Sequence, residues 1–256
     1  MLLKLLKYDF RAMWKQFSLV WGAALALALV NRFTMFRDLD DNLFTNSEVF
    51  MLAFIAVIAA MLVIAVIFVV SRFSKGLLGN EGYLMHTLPV RPWQLVASKL
   101  ICGVVTWMGC GVVAILSPVL TLPLNLTELF LFPFWPDIFR GILKHPDALV
   151  LAAEFCLVIL SFIIQLIAVI YLALSVGHLF SRHRKLAGTA AFIGLYILIV
   201  NIYNWVFSRK LIQSLVDTAS TSAYSSMLTA IAAMLIPALA FLAAVCWILE
   251  RKLNLE

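Results

Sequence analysis

The sequence is that of an all-α protein that crosses a membrane six times, and three observations say so. Hydrophobic residues make up 64% of the 256 and charged residues 12%, about half the charged share of a soluble domain. Six apolar runs reach the length of about 20 residues that a helix needs to cross a hydrocarbon core. The basic residues gather on alternate connections between those runs. A soluble globule of this size could not hide so much apolar surface from water, so lipid must serve as part of its solvent.

The predicted spans lie near 17–35, 49–70, 98–120, 148–176, 186–207 and 228–249. Unbroken runs of this length, free of period-two alternation, favour helices over barrel strands. An even number of crossings puts both ends on one side. With the amino terminus inside, cytoplasmic segments hold thirteen of the 19 Lys and Arg, and outer segments only Arg32, Arg37, Arg140, Lys144, Arg209 and Lys210. That asymmetry predicts cytoplasmic termini. The formal charge of +6 then reflects orientation in the bilayer and not affinity for nucleic acid.

Residues 1–16 precede the first span. Leu3, Leu6, Phe10, Met13 and Phe17 recur at helical spacing on one face, and Lys4, Lys7, Arg11 and Lys15 on another. An apolar stripe beside a cationic one predicts an in-plane interfacial helix whose long cations reach lipid headgroups. A plain cytoplasmic extension of the first span is the alternative. The acidic segment 36–48 and the longer 121–147, with four prolines among Phe130, Phe132, Phe134 and Trp135, fall outside. So does the polar stretch 208–227. No connection is long enough to hold a separate soluble core, so the chain reads as one transmembrane domain over 1–256.

Catalytic signatures are missing. No GxxxxGK[ST] phosphate loop, HExxH or GxSxG occurs. Cys102, Cys110, Cys156 and Cys246 all fall in spans without metal-ligand spacing and read as small core residues. His86, His145, His178 and His183 are scattered over loops and span ends. Neither a catalytic residue, a metal site nor a bound cofactor is predicted in this chain.

Polar residues inside the spans are the remaining clues. Glu154 lies about two turns into the fourth span, with Ser161 and Gln165 at +7 and +11 on the same helical face. An intramembrane carboxylate points to a cavity or pathway. If the span begins later than 148, Glu154 instead meets the outer headgroups; both readings stand at this level. Asn201 and Asn204 near the outer end of the fifth span could line the same pathway or bond neighbouring helices. Gly188, Ala191 and Gly194 permit close helix approach.

The one polar, motif-like stretch is Gly79–Leu100, reading GNEGYLMHTLPVRPWQLVASKL. Gly79, Gly82 and Pro89 delimit a short helix near 81–88, and Arg91-Pro92 breaks the chain before a helix that can start at Trp93, with Pro92 tolerable in its first turn. Glu81, His86 and Thr87 would face the cytoplasm, with Tyr83, Leu84 and Leu88 free to insert into a partner.

These residues resemble a family. Glu81-Gly82-Tyr83-Leu84, Thr87-Leu88-Pro89-Val90 and Leu95-x-x-Ser98-Lys99-Leu100 are similar to the connection between spans two and three of ABC-2-type permeases, the membrane halves of type-2 ABC exporters. Leu5-Leu6-Lys7-Tyr8-Asp9-Phe10-Arg11 resembles the family's amino-terminal interfacial helix. The resemblance implies that Glu81, Gly82, Tyr83, Leu84, His86, Thr87, Leu88 and Pro89 form a coupling helix seated in a separate cytosolic ATPase, two copies of which bind ATP and Mg. It also implies a second permease, identical or related, and a bacterial plasma membrane. The expected activity is outward movement of a peptide, lipid-like or drug-like compound. Two features depart from the family: 208–227 is polar, with Arg209, Lys210 and Asp217, and 121–147 is longer than usual. Without the resemblance, a stand-alone membrane protein for self-protection or scaffolding, or an intramembrane enzyme, fits the same residues.

Overall fold

The computed structural model describes residues 2–37, 44–78, 92–121, 146–180, 184–208 and 222–251. All of these segments are helical: α1 Leu2–Arg37, α2 Phe44–Phe73, α3 Pro92–Thr121, α4 Pro146–His178, α5 Arg184–Ser208 and α6 Ser222–Arg251. One π-helical turn, Ser74–Leu78, continues α2. Each of the six is long and apolar enough to cross a membrane.

The helices outrun the predicted spans because hydropathy reports the lipid-length portion and not the helix. Between residues 2 and 21 the chain contains neither Gly nor Pro, so nothing separates residues 1–16 from the first span. The result is a single 36-residue helix, about 54 Å long. Its apolar stripe is also used differently from the in-plane prediction. Met13 and Phe17 are fully buried against Met61, Ala65 and Phe68 of α2 and Cys110 and Val113 of α3, with Phe10 packed beside them. At Phe10, Met13 and Phe17 the stripe is packed on protein. The cations Lys7, Arg11 and Lys15 do lie exposed on its other side.

At the other boundaries, α3 and α4 open on Pro92 and Pro146, where a missing N–H removes nothing from the hydrogen-bond ladder. The last turn of α4 is closed locally. His178 donates Nδ1–H to Leu174 O at 3.0 Å, and the amides of Leu179 and Phe180 bond back to Val176 and Gly177.

The chain divides into two compact units, the first comprising Leu6–Phe68 and Val105–His145. Its core is the α1–α2–α3 cluster above. The Phe17 and Phe68 rings meet edge to face at 4.9 Å, and Trp21 donates Nε1–H to Cys110 Sγ at 3.4 Å. Gly109 gives the Trp21 ring its room, since a β-carbon there would sit 2.5 Å from Cη2. Arg32, an outer-loop cation by sequence, is instead buried in α1 and donates Nη1–H to Leu120 O at 3.1 Å.

The second unit comprises Met1–Leu5, Val69–Val104 and Pro146–Glu256. Its axis is α4, the most buried of the six spans, against which α5 and α6 pack. From Ile167 to Ala173 every residue of α4 is buried. Phe73 at the end of α2 stacks on Tyr171 with centroids 4.1 Å apart and planes 15° from parallel. Gly188 of α5 faces Ala173 O and Gly177 Cα at ordinary van der Waals distance, so it does permit the close approach read from the sequence. Gly194 faces open space.

Gly103 of α3 makes a similar accommodation. A β-carbon there would lie 3.1 Å from Ile167 Cδ1 and 3.5 Å from Val69 Cγ2. Gly103→Leu is expected to destabilise the detergent-purified chain by about 1–3 kcal/mol, with Ile167→Ala restoring part of the loss in a thermal melt.

Candidate functional site

Helix α4 carries a polar seam along its packed face. Residues at +7 and +11 fall within about 20° of the starting residue at 3.6 residues per turn, so Glu154, Ser161 and Gln165 align over about 16 Å of helix axis. All three are buried: Glu154 is 8% exposed, Ser161 2% and Gln165 4%. The burial of Glu154 is selective, since every other residue from Leu149 to Leu157 is exposed. The side chain is thus turned into the protein along a stretch of α4 that is otherwise exposed.

Each seam residue meets a different environment. Ser161 donates to Val158 O in its own helix at 2.8 Å, a bond that keeps its hydroxyl against the backbone. The same oxygen lies 3.5 Å from Met234 Sδ of α6. Gln165 Oε1 accepts from Tyr203 OH of α5 at 2.6 Å. Thus α5 and α6 flank the seam. Two buried atoms on it have no hydrogen-bond partner among the described residues, Glu154 Oε2 and Gln165 Nε2. In a low-dielectric interior such atoms carry a desolvation penalty unless water or another group satisfies them.

The asparagine pair does not join the seam. Asn201 and Asn204 are exposed on α5, and Asn201 Nδ2–H donates to Ile197 O in its own turn at 2.9 Å. Tyr203, between them, is the residue that turns to α4, and the sequence reading missed it. A signal was present. The inward face of α5 runs through Gly188, Ala191, Leu195 and Ile199 to Tyr203 in steps of three or four residues. Following the close-approach glycine along its own face leads to Tyr203, whereas following the two amides leads outward.

The coupling residues Glu81, Gly82, Tyr83, Leu84, His86, Thr87, Leu88 and Pro89 lie outside the described residues, as does the side chain of Lys4. The motif's downstream part is described and faces inward: Ser98 and Lys99 are both buried at the start of α3. Ser98 Oγ–H donates to Leu95 O at 2.9 Å. Lys99 runs alongside Gly76 of the π turn, where a β-carbon would lie 3.5 Å from Lys99 Cε.

Of the four cysteines read as core residues, Cys102 and Cys110 are buried, Cys246 is half-buried and Cys156 is exposed; all four are free thiols. Comparison with family models, with curated proteins and with solved structures finds no match to this chain.

Proposed function

We propose that the chain is the permease subunit of an ATP-binding cassette exporter of a bacterial plasma membrane, with α4 lining the translocation path. The observation that supports this reading is the buried seam Glu154–Ser161–Gln165 in the most buried membrane-length helix, where Glu154 Oε2 and Gln165 Nε2 have no hydrogen-bond partner among the described residues. A carboxylate inside a membrane span is costly and by default marks a cavity or pathway. In this reading ATP is bound by a separate ATPase subunit, and these 256 residues contain no GxxxxGK[ST] phosphate loop.

In this reading both termini are cytoplasmic, and the connection between α2 and α3 carries a coupling helix at 79–90. Glu81, Gly82, Tyr83, Leu84, His86, Thr87, Leu88 and Pro89 seat in a groove of a cytosolic ATPase. Two ATPase copies and a second permease, identical or related, complete the transporter. The exposed Lys7, Arg11 and Lys15 of α1 meet acidic headgroups on the cytoplasmic side.

The test is co-purification of the tagged chain from its native membranes, wild type beside Tyr83→Ala/Leu84→Ala. The expected result is a stoichiometric ATPase subunit with the wild type that is lost from the double variant, at equal yield of the permease. Purification of both forms without an ATPase sinks the exporter reading.

A further inference from the structure

We propose that α6 is hinged at Pro237, and that its first half, residues 222–236, swings away from the polar seam of α4 as a gate. This stands independently of the exporter reading.

The hinge begins with backbone chemistry. Pro237 lies in the middle of a 30-residue helix. It has no N–H, so the carbonyl of Ala233 one turn back loses its donor, and the proline ring crowds that carbonyl. Membrane helices bend at such residues, because groups on neighbouring helices can take up the freed carbonyl. The packing of α6 changes at the same place. None of the described side chains from Met227 to Pro237 is buried, whereas Ala238, Val245, Ile248 and Leu249 beyond it are. The second half is anchored and the first is only partly covered.

What the swing uncovers follows from register. Helices α4 and α6 are two crossings apart and run the same way, and Ser161 Oγ lies 3.5 Å from Met234 Sδ. Glu154, one heptad before Ser161, is then level with Met227, and Gln165 is level with Ala238. The half of α6 that precedes Pro237 therefore runs beside Glu154 and Ser161, and Gln165 sits at the hinge. Pro237 follows Met234 by one turn and shares its side of α6. A helix bends away from its proline, because ring and carbonyl repel. The bend carries 222–236 off the seam and turns Ala233 O towards α4. At that level Gln165 Nε2 is buried and has no hydrogen-bond partner among the described residues. Its Oε1 is held by Tyr203, which keeps the amide in place to donate to the freed carbonyl. The open form thus gains a hydrogen bond that the closed form lacks.

Paired spin labels on the full-length chain in lipid nanodiscs measure the swing, with the four free cysteines replaced by alanine. One pair stands at Leu151 of α4 and Leu228 of α6. A second, at Leu179 just past α4 and Trp247 of α6, reports the anchored half; all four residues are exposed. A bend of about 20° moves Leu228, about 14 Å along the axis from Pro237, by about 4–5 Å. The expected result is two distances for the first pair, separated by about that amount, and one for the second. Pro237→Ala restores the missing N–H and should leave the first pair its shorter distance alone. Gln165→Leu should deplete the longer one. A single distance for the first pair, or two that persist unchanged in Pro237→Ala, overturns the proposal.

Should Pro237→Ala fail to fold, the chain with its native proline suffices. Equal behaviour of the two pairs overturns the hinge, and populations unchanged in Gln165→Leu overturn the part given to Gln165.

Discussion

Gly109→Ala is expected to destabilise the chain by about 1–3 kcal/mol, read as a lower thermal midpoint in detergent and a shift in tryptophan emission. The added methyl would lie 2.5 Å from Cη2 of Trp21 and nearer still to Cζ2, inside any real carbon–carbon contact. The indole has little freedom to yield. Its Nε1–H is held by Cys110 Sγ, and its ring meets Trp14 at 6.0 Å and Phe17 at 5.8 Å. Displacing it disturbs the buried Phe17–Phe68 pair as well. Two controls isolate the cause. A β-carbon at Gly22 or Gly111 would have nothing within 4 Å, so alanine there should be neutral or slightly stabilising through helix propensity. Trp21→Leu combined with Gly109→Ala should lose less than the two changes added together.

Tyr203→Phe is the second large effect, out of proportion to the single oxygen removed. Gln165 Oε1 would lose the donor it holds at 2.6 Å while Nε2 already lacks a partner among the described residues. A buried amide would then be left unsatisfied at both ends, at a penalty of about 1–2 kcal/mol between helices in a membrane. Gln165→Leu, the larger chemical change, should cost less, because it removes the demanding group altogether. Unfolding of the purified chain in mixed micelles, with the double variant closing the cycle, measures the coupling. An additive cycle would show that the Tyr203–Gln165 bond contributes nothing to the packing of α5 on α4.

Residues of α1 and α5 show how far the sequence could be read. Six apolar runs were legible because lipid imposes a minimum length on each. The true extent of α1 was not, since Leu2–Arg37 is continued by good helix formers that hydropathy scores as polar. Its apolar stripe was legible as a stripe, but Phe10, Met13 and Phe17 would show the same spacing against acyl chains or against α2 and α3. On α4 the alignment of Glu154, Ser161 and Gln165 was legible, because residues on a single helix are related by a fixed angle. Tyr203, the partner of Gln165, was not, since α5 is apolar on nearly every side and its two exposed amides are the more conspicuous polar groups.

The seam of α4 has a history as well as a place. Synthesis delivers α4 to the bilayer before α5 and α6 exist, at about 5–20 residues per second. For some seconds Gln165 lacks Tyr203 and Ser161 lacks Met234. A carboxylate in a lone helix carries a penalty of at most about 2.5–3.5 kcal/mol, the value at the bilayer centre, and Glu154 lies well short of the middle of α4. The Leu, Ile, Val and Phe that fill the rest of α4 outweigh that penalty, at about 0.3–0.6 kcal/mol each. The richness of α4 in large aliphatic residues is therefore what lets a nascent chain carry its buried polar groups into lipid, ahead of the helices that will cover them.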